Sequence, residues 1–176
     1  MVWDHDGFYL SPPARLRPDG RYVFACADTW GDEVSVITGL GTEGGTPANT
    51  LVANVPVGDP AVNGETPYDT AVTAQQDRVY VSLVYGGKIA VMDTVLLRQI
   101  DAIADDLDNP ATLGANTIDL RAVVPGARPG HITIDTEDRY AYASDLFLPI
   151  VYMVDIDPAS ETYHHVVRTF DLTRAG

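Results

Sequence analysis

The sequence of 176 residues contains a single cysteine, Cys26, and this scarcity excludes several kinds of site. One cysteine cannot form an internal disulfide, a CxxC zinc pair or a CxxCH haem attachment site. Cys26 ends the apolar run "YVFAC", a context that favours a small buried hydrophobic residue over a nucleophile. The sequence also has no P-loop and no G-x-S-x-G elbow. Because these motifs are absent, the sequence predicts no bound cofactor.

Positive charge is scarce as well. Lys88 is the one lysine, beside ten arginines, whereas 20 aspartates and five glutamates bring the net charge to −14. This balance argues against nucleic acid and anionic membrane surfaces as partners. An aspartate-rich surface fits a salt-adapted (halophilic) source, and it equally fits a secreted protein whose aspartates form turns. Both interpretations stay open.

Long apolar runs are also missing. No stretch approaches 18 apolar residues, and the N-terminal "MVWDHDGFYL" lacks the basic and apolar regions of a signal peptide. The sequence therefore predicts no membrane insertion and no intact signal peptide within these residues. The apolar content of 45% nevertheless suits one ordered domain with a core.

What the sequence does contain is a repeat. The stretch "RPDGRYVFACADTWGDEVSVI" aligns with "QQDRVYVSLVYGGKIAVMD" and with "TEDRYAYASDLFLPIVYMVD". Each copy has an acidic turn, an arginine, a β-rich run, a short loop and a second β-rich run. The aligned arginines are Arg21, Arg78 and Arg139. Internal repetition of this kind decides the fold class before any local feature does.

Each copy extends in both directions into a unit of four strands. A proline-led segment precedes it ("PARLRP", "PYDTAVTA", "PGHITIDT"), and an extended run closing on glycine follows it ("LVANVPVG", "IDLRAVVPG", "VVRTFDLTRAG"). The sequence therefore predicts an all-β fold of three four-stranded antiparallel sheets. We place these units at about residues 12–58, 66–126 and 128–176 within one domain, 1–176.

These residues resemble a known family. The series "PDGRYVFAC…VSVI…VANVPVG" is similar to the YVTN-type β-propeller repeat, across nearly all of residues 12–176. The resemblance implies propeller blades and an extracytoplasmic location, in the periplasm, at the cell surface or secreted. It implies either a binding or assembly module or part of an enzyme. Similar propellers occur in amine dehydrogenases, nitrite and nitrous-oxide reductases and lactonases, so enzyme activity stays undecided.

Two insertions lengthen the repeats beyond a plain blade of about 40 to 45 residues. The first is the Gly/Thr-rich segment 38–50, and the second covers 94–114. Apolar residues at helical spacing (Leu96, Ile100, Ile103, Leu107) predict an amphipathic helix over about 94–107, with Asp93 or Thr94 as N-cap.

Three blades are fewer than the roughly four to eight of a closed propeller. Losing about 500 Å² of apolar contact at an open face costs about 12 kcal/mol, comparable to the net stability of about 5 to 15 kcal/mol of a whole domain. We therefore expect further blades as partners, from the same larger protein, a second copy or another chain.

A candidate ligand site follows from the repeat. Arg15, Asp69 and His131 each lie two residues after the leading proline of their unit. We expect the strand pleat to aim all three at one end of the central axis, where they would bind a small polar ligand. The alternative is that a wet channel mouth carries polar residues without a function. His164 and His165, in contrast, are expected to form an ordinary outer-strand pair, since neighbouring strand side chains point to opposite faces.

Overall fold

The computed structural model describes residues 14–16, 21–26, 31–39, 46–102 and 117–174, which form three antiparallel sheets. The first sheet has the order β1-β2-β3-β4, with β1 at Ala14–Leu16, β2 at Tyr22–Cys26, β3 at Glu33–Thr38 and β4 at Leu51–Pro56. The second contains β5 Pro67–Val72, β6 Arg78–Leu83, β7 Lys88–Asp93, β8 Arg98–Ile100 and β9 Ile118–Asp119. The third contains β10 Pro129–Ile134, β11 Tyr140–Asp145, β12 Ile150–Asp155 and β13 Val166–Asp171, followed by a 3₁₀ turn, Leu172–Arg174.

The prediction of an all-β fold of three antiparallel sheets is confirmed, and each sheet follows the chain order of its strands. The second sheet differs from the prediction in having five strands. Its outer edge is split, because β8 pairs with Val91–Asp93 of β7 and β9 pairs with Lys88 and Ile89 of the same strand.

The predicted helix over 94–107 is wrong where the structure describes this segment. Residues 98–100 form β8, and 103–107 lie outside the described residues. Asp93 Oδ1 does accept the backbone N–H groups of Val95 and Leu96, as an N-cap would. Leu97 then takes a left-handed conformation (φ 49°), so the chain turns back and pairs with β7 instead of continuing as a helix.

Two apolar cores hold the three sheets together. One lies between the first and second sheets and includes Phe24, Val81 and Met92, and the other lies between the second and third sheets and includes Tyr80 and Tyr152. Within β6, alternate residues therefore serve different cores, with Val81 facing one way and Tyr80 the other. This explains why "RVYVSL" is buried at every residue after Arg78, while β3 alternates between buried and half-buried residues.

The first strands of the three sheets are neighbours, since β5 contacts both β1 and β10. The pairing of Pro67 with Leu83, and of Leu83 with Lys88, places the start of β5 beside the β6–β7 turn. The same end of the third sheet holds the start of β10 and the β11–β12 turn, because Pro129 pairs with Asp145. Side chains from these inner strands and turns form the candidate sites.

Candidate functional site

Asp69 of β5 and His131 of β10 come together at the inner edge of neighbouring sheets, with 3.4 Å between Asp69 Oδ2 and His131 Nδ1. Both strands are irregular at this point. The register of β5 with β6 shifts between Pro67 and Asp69, and that of β10 with β11 shifts between Pro129 and Ile132. An extra residue in a strand re-aims the side chains next to it.

The carboxylate of Asp69 is fully buried and joins the second sheet to the third. Oδ1 accepts the backbone N–H of Thr70 at 2.7 Å, and Oδ2 accepts that of Ile132 at 3.2 Å. Nearby, the Ser82 hydroxyl donates to the carbonyl of Gly130 at 2.6 Å, a second link between the same sheets. The backbone donors keep the buried carboxylate from being left without hydrogen bonds.

The imidazole of His131, in contrast, is 63% exposed. One side of the ring meets the edge of Tyr68, with 5.4 Å between ring centroids, and Nδ1 is turned towards Asp69. A carboxylate in this position orients a neighbouring imidazole through the ring nitrogen that faces it. Nε2 is therefore the ring atom presented to a ligand or an exchangeable proton.

The three residues chosen from the sequence do not share one orientation. Asp69 is buried between sheets while His131 is exposed, because the strand irregularities break the simple alternation of the pleat. Arg15 lies in β1, the strand next to β5, with Phe24 as its Cα partner, and its side chain lies outside the described residues. The structure thus brings Asp69 and His131 into contact and places the backbone of Arg15 on an adjacent strand.

A second feature at the same end of the sheets went unnoticed in the sequence. The guanidinium of Arg128 lies 4.8 Å from the ring centroid of Phe147 and 5.5 Å from that of Tyr85. Both rings are exposed, and they occupy equivalent turns, between β6 and β7 and between β11 and β12. We call Tyr85, Arg128 and Phe147 the arginine–aromatic cluster. An aromatic residue in both turns was the available sequence signal.

Asp145 fixes the geometry of this cluster. Its carboxylate accepts backbone N–H groups from Arg128 (2.7 Å) and Phe147 (2.9 Å) and the hydroxyl of Tyr152 (2.7 Å). Burial opposes ionisation of Asp145, but these hydrogen bonds outweigh it and lower the pKa of the carboxyl below its usual value. Burial, together with the hydrogen bond to the Asp145 carboxylate, raises the pKa of the Tyr152 hydroxyl.

A cleft of about 670 Å³ lies between the outer strands of the first and second sheets. Its polar lining includes Asn54, Asp59, Asn63, Gln99 and Asp101. The amide of Gln99 crosses between the sheets, accepting the N–H of Gly58 at 2.6 Å and donating to its carbonyl at 3.2 Å. The side chain of Gln99 therefore joins the two sheets within the cleft.

His164 and His165 are not an outer-strand pair. They lie in the turn that precedes β13, and His164 has a left-handed backbone (φ 61°). His164 is buried, with its Nε2 2.9 Å from the hydroxyl of Tyr80, whereas His165 is exposed.

Across residues 14–174, apart from the undescribed gaps, no three His, Cys, Asp or Glu side chains converge as a metal site. No helix in the described part of the chain is long and apolar enough to cross a membrane.

Comparison with known proteins gives the fold. No family model and no curated protein matches the sequence. Among solved structures, hydrazine synthase of Kuenenia stuttgartiensis aligns over 96% of this chain and 38% of its own, with a TM-score of 0.62 and 17% identity. A 6-phosphogluconolactonase-like protein of Bacteroides uniformis aligns over 84% of this chain and 37% of its own (TM-score 0.57, 18% identity). The structure of U3-55K aligns over 89% of this chain and 38% of its own (TM-score 0.56, 9% identity).

The chain therefore spans less than two fifths of each of these structures. At such low identities the similarity establishes the fold and nothing about chemistry. The protein is built of β-propeller blades, similar to a part of larger propeller-like proteins, and membership of the YVTN family stays a prediction.

Proposed function

We propose that the protein is a propeller binding module that holds a small polar ligand at the inner ends of its sheets. The observation that supports the proposal is the exposed imidazole of His131 beside the buried carboxylate of Asp69. In this proposal His131 contacts the ligand through Nε2, Asp69 orients the imidazole, and Arg15 supplies a positive charge from the adjacent strand.

The chemistry of these groups favours a ligand with hydroxyl, carboxylate or phosphate oxygens. An imidazole and a guanidinium both form hydrogen bonds with ligand oxygens, and an apolar ligand would leave both groups without hydrogen-bond partners. The position also fits, because convergent polar groups beside the inner strands suit a small ligand better than a flat protein surface does.

The test is a titration followed by NMR of the histidine imidazole signals, with inorganic phosphate, acetate and Zn²⁺ as separate probes. We expect at least one probe to shift the His131 signals in a saturable manner. His131→Ala should abolish the binding, and Asp69→Asn, which keeps the size of the side chain, should weaken it about tenfold or more. His165→Ala removes another exposed histidine and serves as the matched control. Equal binding by the His131→Ala and His165→Ala variants would contradict the proposal.

A second candidate function is a lactonase-like hydrolase. The supporting observation is the same histidine and aspartate pair, since an oriented imidazole can accept a proton from water. The hydroxide so formed would add to a lactone carbonyl, the ring C–O bond would break, and the imidazole would return the proton to the departing ring oxygen, which gives the open hydroxy acid with no oxidant required. The 6-phosphogluconolactonase-like structures lend this candidate their fold only. Among the described residues, no comparable group of side chains supports the other enzyme alternative, an oxidoreductase role.

Hydrolysis of glucono-δ-lactone, followed by proton release, tests this candidate. We expect the His131→Ala variant to lose about 10²- to 10⁴-fold in rate, as general-base removal does. A rate equal to that of buffer in the native protein would rule the hydrolase out and leave the binding proposal intact.

The proposal also includes further blades as partners, in an extracytoplasmic setting. The register places Thr133, Tyr142, Met153 and Arg168 in one row across the outward face of the third sheet. Tyr142 and Met153 are half-buried there, an apolar pair that a further blade would cover.

Light scattering distinguishes the sources of those blades. A closed pair of chains would have a mass of about 38 kDa, twice the 19.0 kDa of one chain. Met153→Lys should then shift the mass to that of a monomer. A monomer of native protein that unfolds cooperatively would argue against a second copy as the source.

A further inference from the structure

The arginine–aromatic cluster has the composition of a protein interface. Tyr85 is 53% exposed and Phe147 is 66% exposed, and the guanidinium of Arg128 lies against both rings. Leu146, 38% exposed, continues the apolar surface towards β10. Tyrosine, phenylalanine and arginine are enriched at the centres of interfaces, and an exposed group of them requires an explanation.

The cluster is held in place by contacts behind it. Asp145 fixes the backbone of both Arg128 and Phe147 by accepting their N–H groups. Arg121 donates from Nη2 to the carbonyl of Tyr85 at 2.5 Å, and the N–H of Tyr85 donates to the carbonyl of Glu65 at 3.0 Å. A surface fixed in this way loses little conformational entropy when a partner binds.

The two arginines of this surface have no acidic partner among the described residues, since none of the ion pairs there includes Arg121 or Arg128. The neighbouring carboxylates are engaged elsewhere. Asp145 accepts the Tyr152 hydroxyl and backbone N–H groups, and buried Glu65 pairs with Lys88 at 2.7 Å. Two guanidinium groups at this surface therefore form no ion pair with a described carboxylate, in a chain whose net charge is −14.

We propose that the arginine–aromatic cluster docks an acidic peptide segment of a partner protein. A guanidinium stacked on aromatic rings keeps its N–H edge available for a carboxylate, which it can bind through two parallel hydrogen bonds. The exposed rings of Tyr85 and Phe147 would cover an apolar side chain next to that carboxylate. Two exposed aromatic rings beside the guanidinium favour a peptide over a small anion, because aromatic anchors are typical of protein interfaces. This site is separate from the ligand proposed at His131.

The overall negative charge does not prevent such docking. At physiological salt the screening length is about 8 Å, so distant aspartates act weakly on a bound peptide. Contacts with the arginines lie well within that distance, and stacking on the rings lowers the cost of holding the Arg128 guanidinium in place.

The experiment measures the fluorescence anisotropy of a labelled ten-residue peptide, with glutamates on both sides of one phenylalanine, at 0.15 M salt. We expect saturable binding that weakens about tenfold or more in the Arg128→Gln and Phe147→Ser variants. Arg139→Gln is the matched control, because Arg139 is also an exposed arginine near an aromatic ring, at 6.0 Å from the Tyr140 centroid, and it lies outside this surface. Its affinity should equal that of the native protein, and thermal unfolding should verify that all variants fold.

Three outcomes would overturn the inference. The first is equal binding of a peptide in which glutamines replace the glutamates, which would indicate unspecific aromatic contact. The second is full displacement of the peptide by 10 mM phosphate, which would indicate a small-anion site. The third is an absence of saturable binding, or equal affinities in the Arg128→Gln and Arg139→Gln variants. None of these outcomes bears on the ligand site at His131.

Discussion

Buried His164 should make the stability of the fold depend on pH. Its ring stacks on Tyr163, Nδ1 contacts the carbonyl oxygen of Ala102, and Nε2 lies 2.9 Å from the hydroxyl of Tyr80. A carbonyl can only accept, so Nδ1 donates to it and Nε2 accepts from Tyr80. Both contacts are therefore those of a neutral imidazole, and they connect the second sheet to the third.

Burial lowers the pKa of His164 from 6.5 to about 4, although the hydrogen bond to the Ala102 carbonyl opposes the shift. The charge of Arg78 lowers this pKa further, and that of Asp155 raises it. Because the folded pKa is lower than the unfolded one, the unfolded chain binds more protons between pH 6.5 and pH 4. Stability is thus fully present above pH 6.5 and is lost as the pH falls towards 4. The whole loss is about 3 kcal/mol, and about 2 kcal/mol of it has occurred at pH 5.0.

Urea unfolding at pH 7.5 and pH 5.0, followed by far-UV circular dichroism, measures this effect. The native protein should lose about 2 kcal/mol in free energy of unfolding at the lower pH. His164→Asn removes the titrating group, and asparagine tolerates the left-handed backbone at this position. The variant should lose less than half as much. Asp145 and Asp155 have pKa values below 3.8, so their own contributions are lost only at lower pH.

His165→Asn provides the control, since it removes an exposed histidine from the same turn and should keep the native pH dependence. The reasoning is refuted if the native protein and the His164→Asn variant lose the same free energy between pH 7.5 and pH 5.0. An NMR titration of the folded native protein in which the His164 signals change near pH 6.5 would refute it independently of any variant.

Three further predictions concern buried groups. Burial raises the pKa of the Cys26 thiol to about 12, so Ellman's reagent at pH 8 should modify it only after unfolding, and rapid modification of the native protein would contradict this. Gly87→Ala should destabilise the protein by more than about 1 kcal/mol, because φ is 69° and the new Cβ would lie 2.8 Å from a backbone carbonyl oxygen. Gly126→Ala, with φ 83° and open space, isolates the backbone contribution and should cost less in the same thermal unfolding assay. Asp138→Ala should cost about 2 kcal/mol, since the carboxylate accepts two backbone N–H groups of the β5–β6 turn, and an unchanged denaturant midpoint would show these bonds to be dispensable.

The sheets could be predicted from the sequence because their signals are local and repeat three times. The acidic turn and the β-rich runs around Arg78 and Arg139 each specify a hairpin without reference to distant residues. The split outer strand could not be predicted. Ile100 has an apolar neighbour four residues earlier, at Leu96, as in a helix, and pairing with β7 decides the outcome instead.

The candidate site was predictable in position but not in orientation. Repeat spacing alone brings Asp69 and His131 to equivalent places on adjacent strands. Which of them is buried depends on one extra residue in each strand, and the sequence gives no sign of it. The arginine–aromatic cluster depends on three separate loops, so Tyr85, Arg128 and Phe147 have no local pattern in common.

The split edge of the second sheet, where β8 and β9 both pair with β7, is a suitable site for inserting another domain. Ile100 of β8 pairs with Val91 of β7, and Ile118 of β9 pairs with Ile89 of the same strand. Two residues along a strand span about 7 Å, so the ends of the chain that connects β8 to β9 are about that far apart. An inserted segment with closely spaced termini could be joined there without moving either strand. Each doubling of loop length costs only about 0.6 kcal/mol in closure entropy. A reporter domain fused between these strands would stand at the outer edge of the second sheet, with β6 and β7 between it and Asp69 on β5.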